Sequence, residues 1–163
     1  MEERTLLIQQ LAQAREKMRA VLADIDIQME IYSRWTIKHV LAHIAGWDDA
    51  SIASLRAHVT GDEPGAPAAR GIDFYNAQAV ETREPLRYDQ VVKEWELARG
   101  QLETIINEMP PEKFKEPLLF AWGQTGTIAQ LVAIFARHEE GHAEEIRKLM
   151  TGSGRGQDAR PSA

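Results

Sequence analysis

Two histidines near the end of the chain have the spacing of metal ligands. The segment FARHEEGHAEE, residues 135–145, contains His138, Glu139 and His142 in the pattern H-E-x-x-H, which is typical of zinc proteases. In a helix, residues four apart lie on one face with Cβ atoms about 5–6 Å apart. Two imidazoles at that separation can bind one ion at roughly 2.0–2.1 Å. The spacing therefore predicts either a metal site or a pair of ordinary core histidines.

A protease is the less favoured interpretation of this motif. Proteases of this kind need a third ligand beyond H-E-x-x-H. In the extended form H-x-x-G-x-x-H, the glycine position is occupied here by Glu145 and the last histidine position by Lys148. The 21 residues after His142 end in a segment predicted to be a disordered tail, so we expect no later helix that would supply a glutamate ligand. An HExxH metalloprotease therefore stays a distant alternative.

Helical periodicity places a third histidine on an apolar face. His43 falls between Val40 and Trp47 on the stripe of one predicted helix, and His138 and His142 fall on the stripe of another. Burying a polar group without a partner costs roughly 1–3 kcal/mol. A divalent cation removes that cost, because each neutral imidazole donates a lone pair to it while one coordination position stays open. We therefore predict that the three histidines bind one metal ion.

Carboxylates and two further histidines lie close to these positions in the sequence. Imidazoles that bind a metal usually donate their second N–H to an acceptor, so Asp48, Asp49 and Glu139 are candidates for that acceptor or for a catalytic base. We assign catalytic roles to Glu139 and Asp48 on this ground. His39 is expected at the rim with an indirect role or none, and His58 as an exposed residue near a helix end.

The elements that must position these residues are helices. A helical hydrophobic period covers four long segments and one short segment, and the Gly- and Pro-rich stretch GDEPGAPAARG precedes the short one. Thr36 is the predicted N-cap of the second long helix, and Thr127 with Gln130 has the form of a capping box. No strand pattern competes. The predicted helices lie at about residues 4–24, 36–59, 72–83, 88–109 and 127–150.

These elements predict an all-α fold with a single domain. Four long helices suit a four-helix bundle, and the long link between the second and third of them allows a crossover from one end to the other. We expect the bundle to cover residues 1–150. The small and polar segment 151–163, TGSGRGQDARPSA, is predicted to be a disordered tail.

Composition limits the functions that the chain can have. The 163 residues carry a formal net charge of −6 and no basic run, which argues against binding to nucleic acid. The chain contains no cysteine, so disulfides and thiolate ligands are excluded and a reducing cytoplasm is favoured. The start MEERTLLIQQ does not predict a signal peptide, and no apolar run is long enough to cross a membrane.

Two segments of the sequence resemble a known superfamily. The phrase WTIKHVLAHIAGWD at residues 35–48, followed far downstream by RHEEGHAEEI at residues 137–146, is similar to the DinB-like (DinB/YfiT) superfamily. The resemblance implies a bundle of up-down-down-up type in which His43, His138 and His142 form a metal triad. It also implies that the ion is nickel or zinc.

The same resemblance implies a range of activities. Some relatives are transferases or isomerases that depend on mycothiol, bacillithiol or glutathione, and others are hydrolases. We therefore expect a metal-dependent enzyme whose open position activates a thiol cosubstrate or water toward a small-molecule substrate, with a homodimer as its expected assembly. The alternative is a noncatalytic stress protein that binds a metal or a small ligand.

Aromatic residues of the sequence could line a substrate pocket. The candidates are Trp47, Phe74, Tyr75, Trp95 and Trp122.

Overall fold

The part of the chain that the structure describes is mostly helical and contains five α-helices. The structure is a computed structural model that describes residues 2–68 and 70–152, so all of the predicted tail except Thr151 and Gly152 lies outside the described residues. A 3₁₀ turn at Pro111–Phe114 and two short strands, β1 at Leu118–Leu119 and β2 at Thr125–Gly126, lie before the last helix. The helices are α1 at Glu3–Leu22, α2 at Ile37–Thr60, α3 at Ile72–Arg83, α4 at Tyr88–Glu108 and α5 at Ile128–Met150.

The helix ends follow the local signals in the sequence. Thr127 caps α5, because its hydroxyl accepts from the backbone N–H of Gln130 at 3.2 Å and its own N–H donates to the Gln130 side chain at 2.9 Å. Thr36 caps α2, and its N–H donates to Nδ1 of His39 at 3.0 Å. Gly61 ends α2 with a φ of 79°, which a glycine adopts without steric cost.

The short strands were not predicted. β1 and β2 pair antiparallel, with Leu118 opposite Gly126 and Leu119 opposite Thr125. Strands of two residues are too short to show an alternating hydrophobic pattern, so periodicity could not reveal them. Their pairing brings residues 120–124 into the tight loop that carries Trp122.

The long helices pack as two pairs. α1 packs mainly on α5, α2 packs mainly on α4, and α3 lies against α2. Gly46 permits the approach of α3, because a Cβ at that position would collide with Ala79. Among the described residues, no helix is both long and apolar enough to cross a membrane.

A polar layer divides the hydrophobic core into two clusters. One cluster includes Leu11, Leu55, Leu102 and Phe135, and the other includes Met18, Leu41, Val91 and Ile146. The first cluster precedes the second along α1 and α5, and it follows the second along α2 and α4. Buried polar residues lie near the change from one cluster to the other on all four helices. They are Arg15, His43, Asp48, Arg99, Glu139 and His142.

Candidate metal centre

Three imidazoles meet within the polar layer. The Nε2 atoms of His43 on α2 and His138 on α5 lie 2.9 Å apart. The Nε2 atoms of His138 and His142 lie 3.0 Å apart, and one ligand atom from each of the three residues falls within 4.8 Å of the others. The structure therefore brings together the three histidines that the sequence predicted to share an ion. Whether they bind one stays a prediction.

Tyr32 fixes the orientation of one of these rings. Its hydroxyl lies 2.6 Å from Nδ1 of His142 and also donates to Glu145. Burial, and after it the hydrogen bond to Glu145, raise the pKa of Tyr32 above its usual value, so the hydroxyl keeps its proton. Because the hydroxyl donates its hydrogen bond to Glu145, its oxygen is left to accept the Nδ1–H of His142. The lone pair of His142 then lies on Nε2 and faces the other two histidines.

A tight turn before α2 holds Tyr32 against the site. The backbone N–H of Trp35 donates to the Tyr32 carbonyl at 2.8 Å, and Arg34 between them has a φ of 68°. A positive φ is uncommon for an arginine and marks a turn that its surroundings maintain. The Trp35 ring then lies 5.4 Å from the ring of His43, measured between centroids. Sequence analysis missed Tyr32 because a turn has no periodicity.

The donor set fits a divalent cation. Neutral imidazoles whose Nε2 lone pairs face one another repel, and a cation between them converts that repulsion into attraction. Tetrahedral bonds of 2.0–2.1 Å place ligand nitrogens about 3.3 Å apart, slightly more than the separations of 2.9 and 3.0 Å found here. Three nitrogen donors suit zinc, nickel, copper and iron.

Of the three imidazoles, His138 is the most exposed. His43 and His142 are 0% and 1% exposed, whereas His138 is half-buried and lines a cavity of about 220 Å³. Trp47, Trp122 and Phe135 contribute to the walls of this cavity. A small molecule in the cavity would therefore reach the cluster beside His138.

The two predicted catalytic carboxylates are engaged with arginines. Glu139 accepts from Arg15 at 2.7 Å and pairs with Arg99 at 2.7 Å, and Asp48 accepts from Arg99 at 3.0 and 3.1 Å. Arg15 also pairs with Asp48 at 3.3 Å. Burial alone would lower the pKa of Arg99, but the two carboxylates outweigh it and raise that pKa. We call these four residues the charge quartet.

The quartet ties α5 to α1 and α4. Asp48 and Glu139 are both 0% exposed, and their charges are balanced by two arginines. Glu139 stands between His138 and His142 in the sequence, so its pairs with α1 and α4 fix the rotation of α5 that aims both imidazoles. A catalytic role for Glu139 and Asp48 stays a prediction. Arg15 and Arg99 were overlooked, although each interrupts the apolar stripe of its helix, between Leu11 and Met18 and between Trp95 and Leu102.

The other histidines lie in separate contacts. His39 accepts from the N–H of Thr36 at the start of α2, and its Nε2 lies 3.0 Å from Glu84. His58 is half-buried, not exposed as expected, and its Nε2 donates to the Lys113 carbonyl at 2.9 Å. Both contacts hold α2 to neighbouring segments.

Of the five aromatic residues predicted to line a pocket, two lie at the cavity and three do not. Trp47 and Trp122 line the cavity, as predicted. Trp95 instead lies under the Arg15 guanidinium at 3.8 Å from its ring centroid, and Phe74 is 47% exposed. Tyr75 donates to the Gly46 carbonyl at 2.7 Å and thereby ties α3 to α2.

Comparison with known proteins places this arrangement among similar folds. The family model of the DinB superfamily matches residues 10–146. Crystal structures of the mycothiol-dependent maleylpyruvate isomerase and of a histidine-to-alanine mutant of it each superpose with a TM-score of 0.74, at 17% and 16% sequence identity. Each match covers 89% of this chain but 61% of the isomerase chain, and at this identity it shows a shared fold. No curated protein matches the sequence significantly.

Proposed function

Since this chain belongs to the DinB superfamily, we propose that it is a divalent-metal-dependent enzyme acting on a small molecule through His43, His138 and His142. One observation carries the proposal: the Nε2 atoms of the three histidines converge beside a cavity that a small molecule can enter. Bound there, nickel or zinc supplies a Lewis acid whose open position lowers the pKa of a thiol cosubstrate or of water.

The residues of the chain have distinct roles in this proposal. His43, His138 and His142 hold the cation, and Tyr32 keeps His142 in the tautomer that presents Nε2. The charge quartet aims α5, and the burial of His43 and His142 keeps bulk solvent away from two of the three imidazoles. The substrate and the nucleophile therefore approach from the side of His138.

A thiol cosubstrate is favoured over water. The chain has no cysteine, so any thiol nucleophile must come from a second small molecule. The fold neighbours are named as mycothiol-dependent, which supports the same type of cosubstrate here. We therefore place thiol transfer or thiol-dependent isomerisation first, and hydrolysis second.

The open cavity also weighs against the noncatalytic alternative. Structural metal sites use four protein ligands and are closed, whereas catalytic sites keep one position for water or substrate. Three histidines with a cavity at the half-buried one fit the second description. A stress protein that only binds metal would not need access at His138.

The topology of the bundle is part of the same proposal. Because the order of the two core clusters is shared by α1 and α5 and reversed in α2 and α4, we infer that the helices run up-down-down-up. The long link that contains α3 then lets α4 run in the same direction as α2. This arrangement supplies histidines from α2 and α5 to one level of the bundle.

An activity screen tests the proposal. Untagged protein would be stripped of metal, reloaded with nickel or zinc, and assayed with mycothiol, bacillithiol or glutathione together with a panel of electrophiles and esters. We expect turnover that requires metal and that falls at least about 100-fold in His138→Ala, the size of effect typical of losing one essential catalytic group. His58→Ala is the matched control and should keep the activity. Metal-independent turnover that His138→Ala does not change would contradict the proposal.

A further inference from the structure

The cavity beside His138 has aromatic walls. The rings of Trp47 and Trp122 meet nearly at right angles, with centroids 5.9 Å apart, and Trp122 lies nearly parallel to Phe135 at 6.4 Å. Trp47 donates its indole N–H to Asn76 at 2.7 Å, and Trp122 donates to Gln124 at 3.0 Å. Because both N–H groups are already engaged, the indoles offer apolar ring surface to the cavity.

The size of the cavity suits one ring. Its volume is about 220 Å³, and an apolar cavity of about 150 Å³ in another protein binds benzene. Ile72 and Ile134 add to the apolar lining, and the exposed Gln124 also contributes to it. The space therefore accommodates a six-membered ring with a short substituent that extends toward His138.

Away from His138, the described walls of the cavity carry uncharged side chains. None of the described residues that line the cavity is Lys, Arg, Asp or Glu. Arg137, on the same helix as His138, lies instead in a separate groove together with Lys17. A carboxylate on the part of the ring that faces the apolar walls, away from the cation proposed at His138, would lose hydration without gaining a counter-charge, and that transfer is unfavourable.

We propose that this cavity, the ring pocket, binds a flat uncharged ring of the substrate and holds the attached reactive group beside His138. The substrate class is then a neutral aromatic or similarly flat hydrophobic compound. This inference rests on the proposed function and specifies the substrate of the same site.

The first test uses the metal-free protein, so it is independent of metal binding. Benzyl alcohol would be titrated into ¹⁵N-labelled protein while the indole N–H signals are followed by NMR. We expect saturable shifts at Trp47 and Trp122, and no such shifts in Ile134→Trp, in which a half-buried wall residue fills the pocket. Phe74→Ala, which removes an exposed ring outside the lining, should behave as wild type. Absence of binding, or equal binding by Ile134→Trp, would overturn the proposal.

The second test uses nickel-loaded protein and three hydroxamates that share one chelating group. Benzohydroxamic acid should bind at least about tenfold more tightly than acetohydroxamic acid, since even one methylene in an apolar pocket is worth roughly that factor. A carboxylate at the para position should cancel the gain. Gln124→Lys, a change at an exposed residue, should restore binding of the carboxylate compound by supplying a counter-charge.

The two tests separate the two ways of failing. If no hydroxamate binds in a metal-dependent manner while benzyl alcohol still shifts Trp122, the ring pocket is supported and the metal-dependent function is contradicted. If all three hydroxamates bind equally to the nickel-loaded protein, the metal site stands and the ring pocket is refuted.

Discussion

The Nε2 atoms of His43 and His138 lie 2.9 Å apart, although the two residues are 95 positions apart in the sequence. Their helices belong to different packing pairs, because α2 packs mainly on α4 and α5 packs mainly on α1. The histidine cluster therefore links the two halves of the helical domain. A cation bound there would both create the reactive site and join the pairs.

Tyr32→Phe should weaken metal binding and leave the fold intact. The variant loses the oxygen that accepts from Nδ1 of His142, so the ring is no longer held in the tautomer that presents Nε2. Loss of such a supporting hydrogen bond typically lowers metal affinity about 10–100-fold. Nickel and zinc affinities can be measured by competition with a chromophoric chelator. Tyr88→Phe, at a tyrosine that is only partly buried, is the control. Equal affinities in wild type and Tyr32→Phe would remove Tyr32 from the site.

Arg99→Met should destabilise the protein strongly. It leaves Asp48 and Glu139 buried with one remaining arginine between them. Breaking a buried ion pair by removing one partner costs about 3–5 kcal/mol. The loss would be measured as the free energy of unfolding in urea.

A second pair of variants checks this interpretation. Arg19→Met removes exposed pairs with Glu16 and Glu96 and should cost no more than about 1 kcal/mol. Adding Asp48→Leu to Arg99→Met should recover part of the loss, because the remaining pair of Arg15 and Glu139 is again balanced. A loss in Arg99→Met as small as that in Arg19→Met would show that the quartet contributes little.

Two glutamates of α4 should affect the pH dependence of stability with opposite signs. The hydrogen bond from Arg19 lowers the pKa of Glu96, so its stabilisation is present above the usual glutamate pKa and is lost as pH falls through the lowered pKa. Burial raises the pKa of Glu103, so its contribution is present below the usual pKa and is lost as pH rises through the raised pKa.

Urea unfolding at about pH 3 and about pH 7, on either side of the usual glutamate pKa, measures both effects. The free energy of unfolding of wild type should exceed that of Glu96→Gln by more at about pH 7 than at about pH 3. It should exceed that of Glu103→Gln by more at about pH 3 than at about pH 7. The same pH trend in both variants would contradict the contrast between the hydrogen-bonded and the buried carboxyl group.

The helices and the histidine cluster could be predicted because both depend on periodicity. His138 and His142 are four residues apart, so they lie on one face of α5 wherever that helix begins. His43 lies on the apolar face of α2, and burial of these faces of α2 and α5 in one interior brings the imidazoles together. The capping box of Thr127 and Gln130 is equally local and was confirmed.

The supporting residues depend on information that a periodic pattern does not contain. Tyr32 reaches His142 only because the turn through Arg34 bends the chain back before α2 begins. The quartet depends on the relative rotation and height of four helices, which set the pairing of Arg15 and Arg99 with Asp48 and Glu139. An arginine in an apolar stripe predicts a buried acidic partner, but the sequence does not identify which carboxylate that partner is.

Metal analysis of the untagged protein is the most direct test of the account. Inductively coupled plasma mass spectrometry of protein dialysed against nickel or zinc should find one divalent ion per chain. His43→Ala should lose that ion, and His39→Asn, a change one turn earlier on the same helix, should retain it. A wild-type protein that takes up neither metal, or a His43→Ala variant with full occupancy, would contradict the central claim that α2 and α5 share one cation.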